Sequence, residues 1–472
     1  MKLLLVMPTG LQVGYDEYFS SSPLGIETLA AHAQPYADVA LLDVRGRGHD
    51  VEAHAELILS QSPDMVGVSV NSAPHTKYAF ALAQALRRRR GDLRLIVGGQ
   101  QASFLPEEFL ADGRYDALIR GEGELTLEEI LQRGAWQGVL GVSWRQNGSI
   151  RREEDRPLIA DLDEVRPPAR SLLPDRSRYR MGEYRVEGIE TSRGCAHHCS
   201  FCSVRNFHRG KWRPKSVARV MREIDSILET YPEPKVIYFA DDNFSQDIRR
   251  IVEICKAIIE RKSQAYFWCQ ARVDQLSKDP SVIEWMGKAH FAAVLAGIET
   301  PIPRLLAAAR KGINLDQVHK AIELLHQHDI GVWGTFTLGL PGETPEESAI
   351  SARFIEKTPV DVAQITVATP IPGSTLYDEA KANGDIIETD WDKFDFTSPT
   401  LSYQLPKARM DALMHRAYFK TYTSWRFLRA IFSKKTNLHR LRRTAFFAFG
   451  SWIRILVKER IGMLFGRRPR QQ

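Results

Sequence analysis

Short apolar runs alternate with helical patterns through the first 135 residues. We predict the strands of a parallel sheet at Leu3–Met7, Val39–Leu42, Met65–Val70, Leu93–Val97 and Ala117–Ile119. We predict the connecting helices at Ile26–Ala33, Tyr78–Arg88 and Glu124–Gln132. This order indicates a doubly wound, Rossmann-like (flavodoxin-like) α/β domain over residues 1–135.

Small and polar residues follow the strands of this domain. They are Ser69, Asn71, Gly98 and Gly99, with Gly121-Glu122-Gly123-Glu124 after the last strand. Ligands of such sheets bind outside the carboxyl ends of the strands, and residues without bulky side chains let a large flat ligand approach the backbone.

A second run of strands and helices begins at residue 184, after a linker rich in proline and charge over residues 136–183. We predict its strands at Gly188–Thr191, Val236–Ala240, Tyr266–Gln270, Ala292–Gly297, Val332–Leu338 and Val362–Val367. Helical patterns fill residues 216–230, 247–261, 315–327 and 345–356. Six β-then-α units predict a partial (β/α)6 TIM-type barrel over residues 184–390, with its site at the carboxyl ends of the strands.

Three cysteines follow the first strand of this barrel. Cys195, Cys199 and Cys202 form a C-x3-C-x2-C pattern, which can hold three corners of a cubane iron–sulfur cluster and leave the fourth iron open. Zinc with a distant histidine also fits three cysteines, as do buried thiols without a ligand. The five cysteines of the chain are too few, and odd in number, for a disulfide framework.

Polar or glycine residues also follow the other barrel strands. They are Asp241, Asp242 and Asn243, then Arg272, Glu299, Gly339 and Gly342. Each one alone also fits a turn or a helix cap. Six successive strand ends marked in this way indicate a ring of residues around a pocket.

The composition is that of an ordinary globular protein, with 43% apolar and 26% charged residues in 472. The chain starts with an apolar run too short for a signal peptide, and no run approaches the roughly 18 apolar residues of a membrane span. With few cysteines as well, we expect a reducing, cytoplasmic location.

The net charge of +6 is unevenly distributed. Residues 425–472 hold 13 Lys and Arg against the single acid Glu459, whereas the first 424 residues hold 51 basic and 57 acidic residues. Within residues 391–472, a helical region, this tail has the pattern of basic amphipathic helices, which favours peripheral contact with the inner face of the membrane. Packing of the tail on the barrel is one alternative. Nucleic-acid binding is the other and the least favoured, so we expect no nucleic-acid partner.

The cysteine loop and the order of glycine motifs resemble the radical S-adenosylmethionine superfamily. Over roughly residues 1–400 the chain looks like the branch with an N-terminal cobalamin-binding domain. That branch includes B12-dependent radical methylases and the anaerobic magnesium-protoporphyrin monomethyl ester cyclase.

The resemblance implies a [4Fe–4S] cluster on Cys195, Cys199 and Cys202, with S-adenosylmethionine on the open iron. Its reductive cleavage, by an electron donor such as flavodoxin or ferredoxin, would give a 5′-deoxyadenosyl radical. The resemblance also assigns contacts with S-adenosylmethionine. Asp241, Asp242 and Asn243 would lie near its amino group, and Arg272 and Glu299 would contact its carboxylate and ribose. Gly339 and Gly342 would lie near its adenine.

The first domain matches the cobalamin type in part. Ser69, Asn71, Gly98 and Gly99 occupy the loops that would cradle the corrin and its nucleotide tail. The D-x-H-x-x-G loop that supplies a lower histidine ligand is missing, since the chain reads Pro8-Thr9-Gly10-Leu11 after the first strand. We therefore expect no lower histidine from that loop.

The reaction we expect is C-methylation of a hydrophobic or lipid-like small molecule. Oxidative cyclisation of a tetrapyrrole-like substrate is the alternative, since Trp391, Phe394 and Phe396 begin a segment that resembles the cyclase. A non-catalytic cobalamin- or zinc-binding protein is the alternative of another class. Structural roles are expected for the other cysteines and for the histidines near the site, namely Cys255, Cys269, His75, His197 and His198.

Overall fold

The structure is a computed structural model of the whole chain. It describes residues 1–10, 21–173, 175–181, 184–231, 235–425 and 427–428. Almost all of the basic tail at 425–472 therefore lies outside the described residues. In the described ranges, no helix has both the length and the apolar character needed to cross a membrane.

The first sheet is the predicted flavodoxin-like one. Its parallel strands lie in the order β2-β1-β3-β4-β5. Their bounds are β1 Lys2–Met7, β2 Asp38–Asp43, β3 Met65–Ser69, β4 Arg94–Gly98 and β5 Ala117–Ile119. These strands are almost wholly buried, because helices cover both faces of the sheet.

Two layers of helices enclose this sheet. Helices α1 (Leu24–Ala33) and α6 (Glu124–Arg133) pack on one face. The other face is covered by α2 (Val51–Ser60), α3 (Pro74–Arg89), α4 (Gln100–Ser103) and α5 (Pro106–Leu110). Helix α2 was not predicted; the Asp50 side chain caps its first turn by accepting a hydrogen bond from the Ala53 amide.

The first sheet continues past the predicted boundary at residue 135. Strands β6 (Val142–Gln146) and β7 (Ser149–Arg152) form a hairpin that joins the sheet antiparallel to β5. Trp144 is buried in the hairpin, whereas Arg145, Arg151 and Arg152 give the segment its linker-like composition. The extended connection between the sheets is therefore confined to residues after 152.

The second sheet is the predicted partial barrel. Its order is β16-β15-β14-β13-β12-β9-β8, parallel except for the edge strand β8, and its two edges do not pair. The bounds are β8 Arg180–Met181, β9 Tyr184–Ile189, β12 Lys235–Phe239, β13 Tyr266–Ala271, β14 Phe291–Glu299, β15 Gly331–Leu338 and β16 Val362–Val367. A two-stranded ribbon, β10 (Ser192–Arg193) with β11 (Arg213–Pro214), stands beside it.

Helices cover the convex face of this half-barrel and bury a single large core. They are α8 Val217–Thr230, α9 Ile248–Glu260, α10 Val273–Leu276, α11 Pro280–Lys288, α12 Pro303–Ala308, α13 Leu315–Gln327, α14 Pro345–Lys357 and α16 Lys407–Tyr422. The short helix α7 (Val204–Phe207) follows the cysteine loop, and α15 (Thr375–Asn383) packs in a separate small cluster with Leu401. The side chains of Ser216, Asp247 and Thr344 cap α8, α9 and α14.

A buried ion-pair network joins the two domains. Arg176, in the connecting segment, donates to Glu27 of α1 at 2.6 Å and also to Glu187 of β9. Both carboxylates are fully buried, and Arg170 lies within 3.7 Å of each. We name Glu27, Arg170, Arg176 and Glu187 the interdomain clamp. It fixes α1 of the first domain against the first strand of the barrel.

Candidate cofactor site between the two domains

The cysteine loop leaves the ribbon at the carboxyl end of β9. Gly194 opens it with a φ of +86°, and a Cβ there would lie 2.1 Å from the Lys211 carbonyl oxygen. Only glycine fits this position without moving the backbone. The amide of Cys202 donates to the Cys199 carbonyl at 3.2 Å, so the last two cysteines share one tight turn.

Burial acts on the thiols of this loop. It raises the pKa of Cys202 to about 12 and also raises the pKa of Cys195, and the neighbouring Cys199 adds to the effect on both. Thiolates in such surroundings need a positive partner, and a metal ligand set is one that supplies it.

The donor set decides between the possible metals. In the part of the chain that the structure describes, no three His, Cys, Asp or Glu side chains are close enough to hold a single metal ion. A cubane makes a different demand, because each thiolate binds its own iron. The buried Nε2 of His197, on the same loop, has no hydrogen-bond partner. Three cysteines on one loop therefore fit the cluster better than mononuclear zinc.

Two side chains from the barrel donate toward the thiols. The Asn243 amide nitrogen lies 3.8 Å from the Cys195 sulfur, and a guanidinium nitrogen of Arg272 lies 3.7 Å from the Cys199 sulfur. Arg272 is oriented by Asp274 at 2.9 Å, and its backbone amide donates to the Ser245 hydroxyl at 2.8 Å. Both residues were predicted, and the structure brings them to the cysteines.

The neighbouring aspartates face elsewhere. Asp241 is fully buried and accepts hydrogen bonds of 2.6 Å from the Thr191 amide and from the hydroxyls of Thr191 and Ser192, so it braces the end of β9. Asp242 accepts from the Gly194 amide at 2.9 Å and faces the interdomain cavity. Desolvation there raises the pKa of Asp242 to about 6. Of these two, only Asp242 is open to a ligand.

A buried lysine beside Glu299 was not predicted. Lys311 donates to Glu299 at 2.6 Å, and the Thr337 hydroxyl donates to the other carboxylate oxygen at 3.0 Å. Glu299 has a φ of +64°, a conformation that costs about 1–3 kcal/mol in a non-glycine residue and is concentrated at functional sites. Lys311 lies twelve positions after Glu299, and no local spacing rule in the sequence pairs the two.

The glycine loop after β15 lies at the same end of the barrel. Gly339 and Gly342 have φ values of +70° and +76°. Their carbonyls accept from Gln404 at 3.0 Å and from Arg304 at 2.7 Å. Leu340, between them, packs in a small apolar cluster with Phe201 of the cysteine loop. The loop is thus held next to the cysteines, and its predicted contact with adenine stays a prediction.

A cavity of about 270 Å³ lies between the two domains. The four predicted residues of the first domain, Ser69, Asn71, Gly98 and Gly99, all line it, together with Gly121 and Gly123. From the barrel side, the cavity is lined by residues that include Glu190, Ser192, Arg193, His208 and Asp242.

The loops of the cavity leave room for a ligand. At Gly121 an added Cβ would meet nothing within 4 Å, so the backbone is open there. Gly99 has a φ of +101°, and a Cβ would lie 2.5 Å from the Val70 carbonyl oxygen. Asn71 accepts from the Gln100 amide at 3.2 Å and holds this turn. A glycine-lined cleft at the carboxyl ends of the strands fits a corrinoid and its tail.

Among the described residues, no histidine of the first domain lines this cavity. His75, at the start of α3, packs against Gly10 instead, and burial lowers its pKa to about 4. Its Nδ1 has no hydrogen-bond partner. The segment that follows Gly10 lies outside the described residues.

Comparison with known proteins gives two family matches. A model described as the radical SAM superfamily matches residues 189–355, and one described as a B12-binding domain matches residues 17–131. These ranges fall on most of the half-barrel and most of the first sheet. Together they identify an enzyme that uses a [4Fe–4S] cluster, S-adenosylmethionine and cobalamin, which confirms the predicted cofactors and sets aside a non-catalytic binding protein.

Several relatives match over most of their length. An uncharacterized methyltransferase of Pyrococcus horikoshii is 31% identical over 434 residues, covering 89% of this chain and 92% of the relative. The anaerobic magnesium-protoporphyrin IX monomethyl ester cyclase of Rubrivivax gelatinosus is 26% identical over 413 residues, covering 85% and 73%. The hopanoid C-3 methylase of Methylococcus capsulatus is 28% identical over 418 residues, covering 86% and 77%.

The fold is also that of a solved structure with both kinds of cofactor. OxsB, a cobalamin-dependent S-adenosylmethionine radical enzyme solved with aqua-cobalamin and S-adenosylmethionine bound, aligns with a TM-score of 0.72 at 19% identity, covering 94% of this chain and 70% of that one. With the sequence relatives, this completes the identification: the chain belongs to the radical SAM superfamily, in the branch whose members carry a B12-binding domain before the radical SAM domain.

Proposed function

We propose that this enzyme transfers a methyl group to an unactivated carbon of a hydrophobic small molecule. Two of the relatives named above are methyltransferases, and one of these, by its name, methylates a hopanoid. The observation that carries the proposal is the shared cavity, which is lined by glycine loops of the first domain and by barrel residues beside the cysteine loop.

The bound cofactors supply the chemistry: a 5′-deoxyadenosyl radical from S-adenosylmethionine and a methyl group from cobalamin. The chain supplies position and protection. Arg272 and Lys311 place two buried positive charges beside Cys199 and Glu299, where they suit a carboxylate ligand. The interdomain clamp holds the two domains together with buried ion pairs between the first helix and the first barrel strand.

The concave face of the half-barrel supports a hydrophobic substrate. Its apolar cluster consists of strand residues only, without a covering helix. Tyr238, Trp268 and Trp333 form a stacked row across it, with ring centroids 4.5 and 5.4 Å apart. Two glutamines border the row. The Gln270 side-chain amide donates to the Tyr238 hydroxyl, and the Trp333 indole N–H donates to the Gln364 side-chain oxygen. A flat apolar body would find aromatic area there with a polar edge for orientation.

The test is a turnover assay in the absence of oxygen. The full chain is reconstituted with iron and sulfide, loaded with hydroxocobalamin, and supplied with S-adenosylmethionine and reductant, either dithionite or reduced flavodoxin or ferredoxin. A panel of polycyclic and isoprenoid lipids is added, and products are analysed by mass spectrometry. We expect 5′-deoxyadenosine, S-adenosylhomocysteine and a product heavier by one methylene unit. Formation of 5′-deoxyadenosine without S-adenosylhomocysteine would exclude methyl transfer.

Oxidative cyclisation of a tetrapyrrole-like substrate is the second candidate, because the cyclase relative covers most of the chain. The aromatic segment that suggested it does not line the cavity: Trp391 donates to Glu108 at 2.6 Å and packs on the first domain, and Phe394 is buried. In the same assay, a product that has lost hydrogen from a protoporphyrin ester would favour the cyclase over the methylase.

We further propose that the basic tail brings the enzyme to anionic membranes, where a lipid substrate resides. The support is its sequence, with 13 Lys and Arg and one acid in residues 425–472. Trp425, at its start, is 78% exposed. The full chain should sediment with phosphatidylserine vesicles at low salt and not with phosphatidylcholine vesicles. A variant truncated after residue 424 should remain in the supernatant, and its co-sedimentation would remove the proposal.

A further inference from the structure

Both ends of the cysteine loop are tied to loops of the cobalamin cavity. At the start of the loop, Arg193 donates to Glu124 at 2.6 Å and to Glu122 at 3.1 Å. At its end, the Ser203 hydroxyl accepts from the Gln100 side chain at 2.8 Å. Glu122 and Glu124 belong to the glycine turn Gly121–Glu124, and Gln100 directly follows the turn Gly98–Gly99; both turns line the cavity.

The tie at Arg193 is a buried charge cluster. Its guanidinium also reaches Glu190 at 2.8 Å, so one cation serves three carboxylates. Arg213, its cross-strand neighbour in the ribbon, donates to Glu122 at 2.7 Å. The side chains of Arg193, Glu122 and Glu124 are only 6–8% exposed. Interactions in such a place are weakly screened, so a shift of the glutamates is felt by Arg193.

The geometry connects this cluster to the first cysteine. Arg193 is followed by Gly194, whose amide is held by Asp242 and whose Cβ position is blocked by the Lys211 carbonyl. Only this hydrogen-bonded and closely packed residue separates Arg193 from Cys195, so a movement of Arg193 acts directly on the first cysteine. A similar connection holds at the other end, where Ser203 follows Cys202 directly.

We propose that Arg193 and Gln100 are positioning residues that couple the two cofactor sites. Cobalamin packed on the glycine turns fixes Glu122, Glu124 and Gln100, and these hold the cysteine loop in the form that accepts a cluster. Since coupling between two binding equilibria is reciprocal, the cluster must raise the affinity for cobalamin by the same factor. The proposal goes beyond the proposed methyl transfer and does not depend on any substrate.

The test compares hydroxocobalamin affinities of the full chain with and without its cluster, by anaerobic equilibrium dialysis. For the unmodified protein we expect the reconstituted form to bind about tenfold more tightly, within the usual range of allosteric coupling. In the double variant Glu124→Gln with Gln100→Leu, the ratio of the two affinities should fall to nearly one. Damage that is merely structural would weaken binding in both forms equally and leave the ratio unchanged.

Glu129→Gln is the matched control, because Glu129 lies on the same helix and pairs with Arg133 and Arg156 instead. It should keep the full ratio. A ratio of one in the unmodified protein, or a full ratio in the double variant, would overturn the coupling. If the double variant does not fold, the single variant Gln100→Leu is the test. A reduced ratio of the two affinities would support coupling through Gln100, and an unchanged ratio would contradict it.

A second readout follows the loop itself. In the cluster-free protein, hydroxocobalamin at saturation should slow hydrogen–deuterium exchange across residues 194–204. The double variant, saturated as judged by absorbance, should show no such protection. Equal protection in the variant and in the unmodified protein would contradict the proposal even if the affinities had changed.

Discussion

The two parallel sheets present different kinds of surface at their carboxyl ends. In the first sheet the cavity is lined by aliphatic side chains and by glycine turns, with open space beside Gly121. At the ends of the second sheet, the side chains of Cys195, Asn243 and Arg272 converge with defined donor and acceptor atoms. The first surface suits recognition of a large flat ligand by shape, and the second suits ligation of particular atoms. We therefore expect an added side-chain carbon to disrupt ligand binding at the first surface. At the second surface we expect the loss of a ligating side-chain atom to disrupt binding.

Removal of one thiol should have the largest effect. Cys199→Ala takes away one of three predicted cluster ligands, so we expect iron content and S-adenosylmethionine cleavage to fall to background. Hydroxocobalamin should still bind, with the affinity of the cluster-free protein, because the cavity of the first domain is untouched. Iron analysis, electron paramagnetic resonance and absorbance measure these three outcomes. Cys255→Ala, at a buried helical position outside the loop, is the control and should keep the cluster.

Addition of one carbon should disable the first surface. In Gly99→Ala the new Cβ would lie 2.5 Å from the Val70 carbonyl oxygen at a φ of +101°, so the turn must shift. We expect a loss of about 1–3 kcal/mol in the free energy of unfolding and at least tenfold weaker cobalamin binding, with iron content unchanged when hydroxocobalamin is saturating. Gly134→Ala is the control, since its φ is +66° with no neighbour within 4 Å. Equal cobalamin affinity in both variants would contradict recognition by shape.

Disruption of the interdomain clamp should lower the free energy of unfolding without changing a residue of either surface. Arg176→Met leaves Glu27 and Glu187 buried without their main cation. Loss of one partner of a buried ion pair typically costs about 3–5 kcal/mol. Urea titration followed by tryptophan fluorescence measures it. A loss below 1 kcal/mol would mean that water reaches these carboxylates and that the clamp is open in solution.

The smallest expected effect is a pH dependence at the boundary of the two surfaces. The pKa of Asp242 is raised from 3.8 to about 6, so the folded protein keeps a proton there that the unfolded chain has lost. This contribution to stability is present below pH 4 and is lost as the pH rises through 6. Asp242→Asn removes this pH-dependent contribution. As the pH rises from 4 to 6, the melting temperature of the variant should therefore rise relative to that of the unmodified protein. A constant difference across that range would contradict the raised pKa.

Most of the fold was predictable because burial dictates the sequence of parallel strands. The predicted strands lie within two residues of the observed ones except at the first barrel strand, expected at Gly188–Thr191 and found at Tyr184–Ile189. There, Thr191 and Ser192 turn out of the sheet because they bind Asp241. The hairpin at residues 142–152 was missed, because the charged residues of its short strands resemble those of a linker.

The candidate site was predictable where its chemistry is local. The cysteines, Asn243 and Arg272 carry their signal in motif spacing and strand ends. Lys311, Arg193 and Gln100 do not, because their partners lie 12, about 70 and about 100 residues away along the chain. Such pairs depend on how two sheets meet, and a single sequence does not record that.

The interdomain clamp also sets an order of events during synthesis. Glu27 belongs to the first helix described, whereas Arg176 and Glu187 emerge some 150 residues later. At translation rates of about 5–20 residues per second, Glu27 waits on the order of 10 s for its partner. During that interval the carboxylate stays hydrated on the nascent domain. Docking of the barrel must strip that water, so assembly of the two halves is a late step that follows the folding of the first.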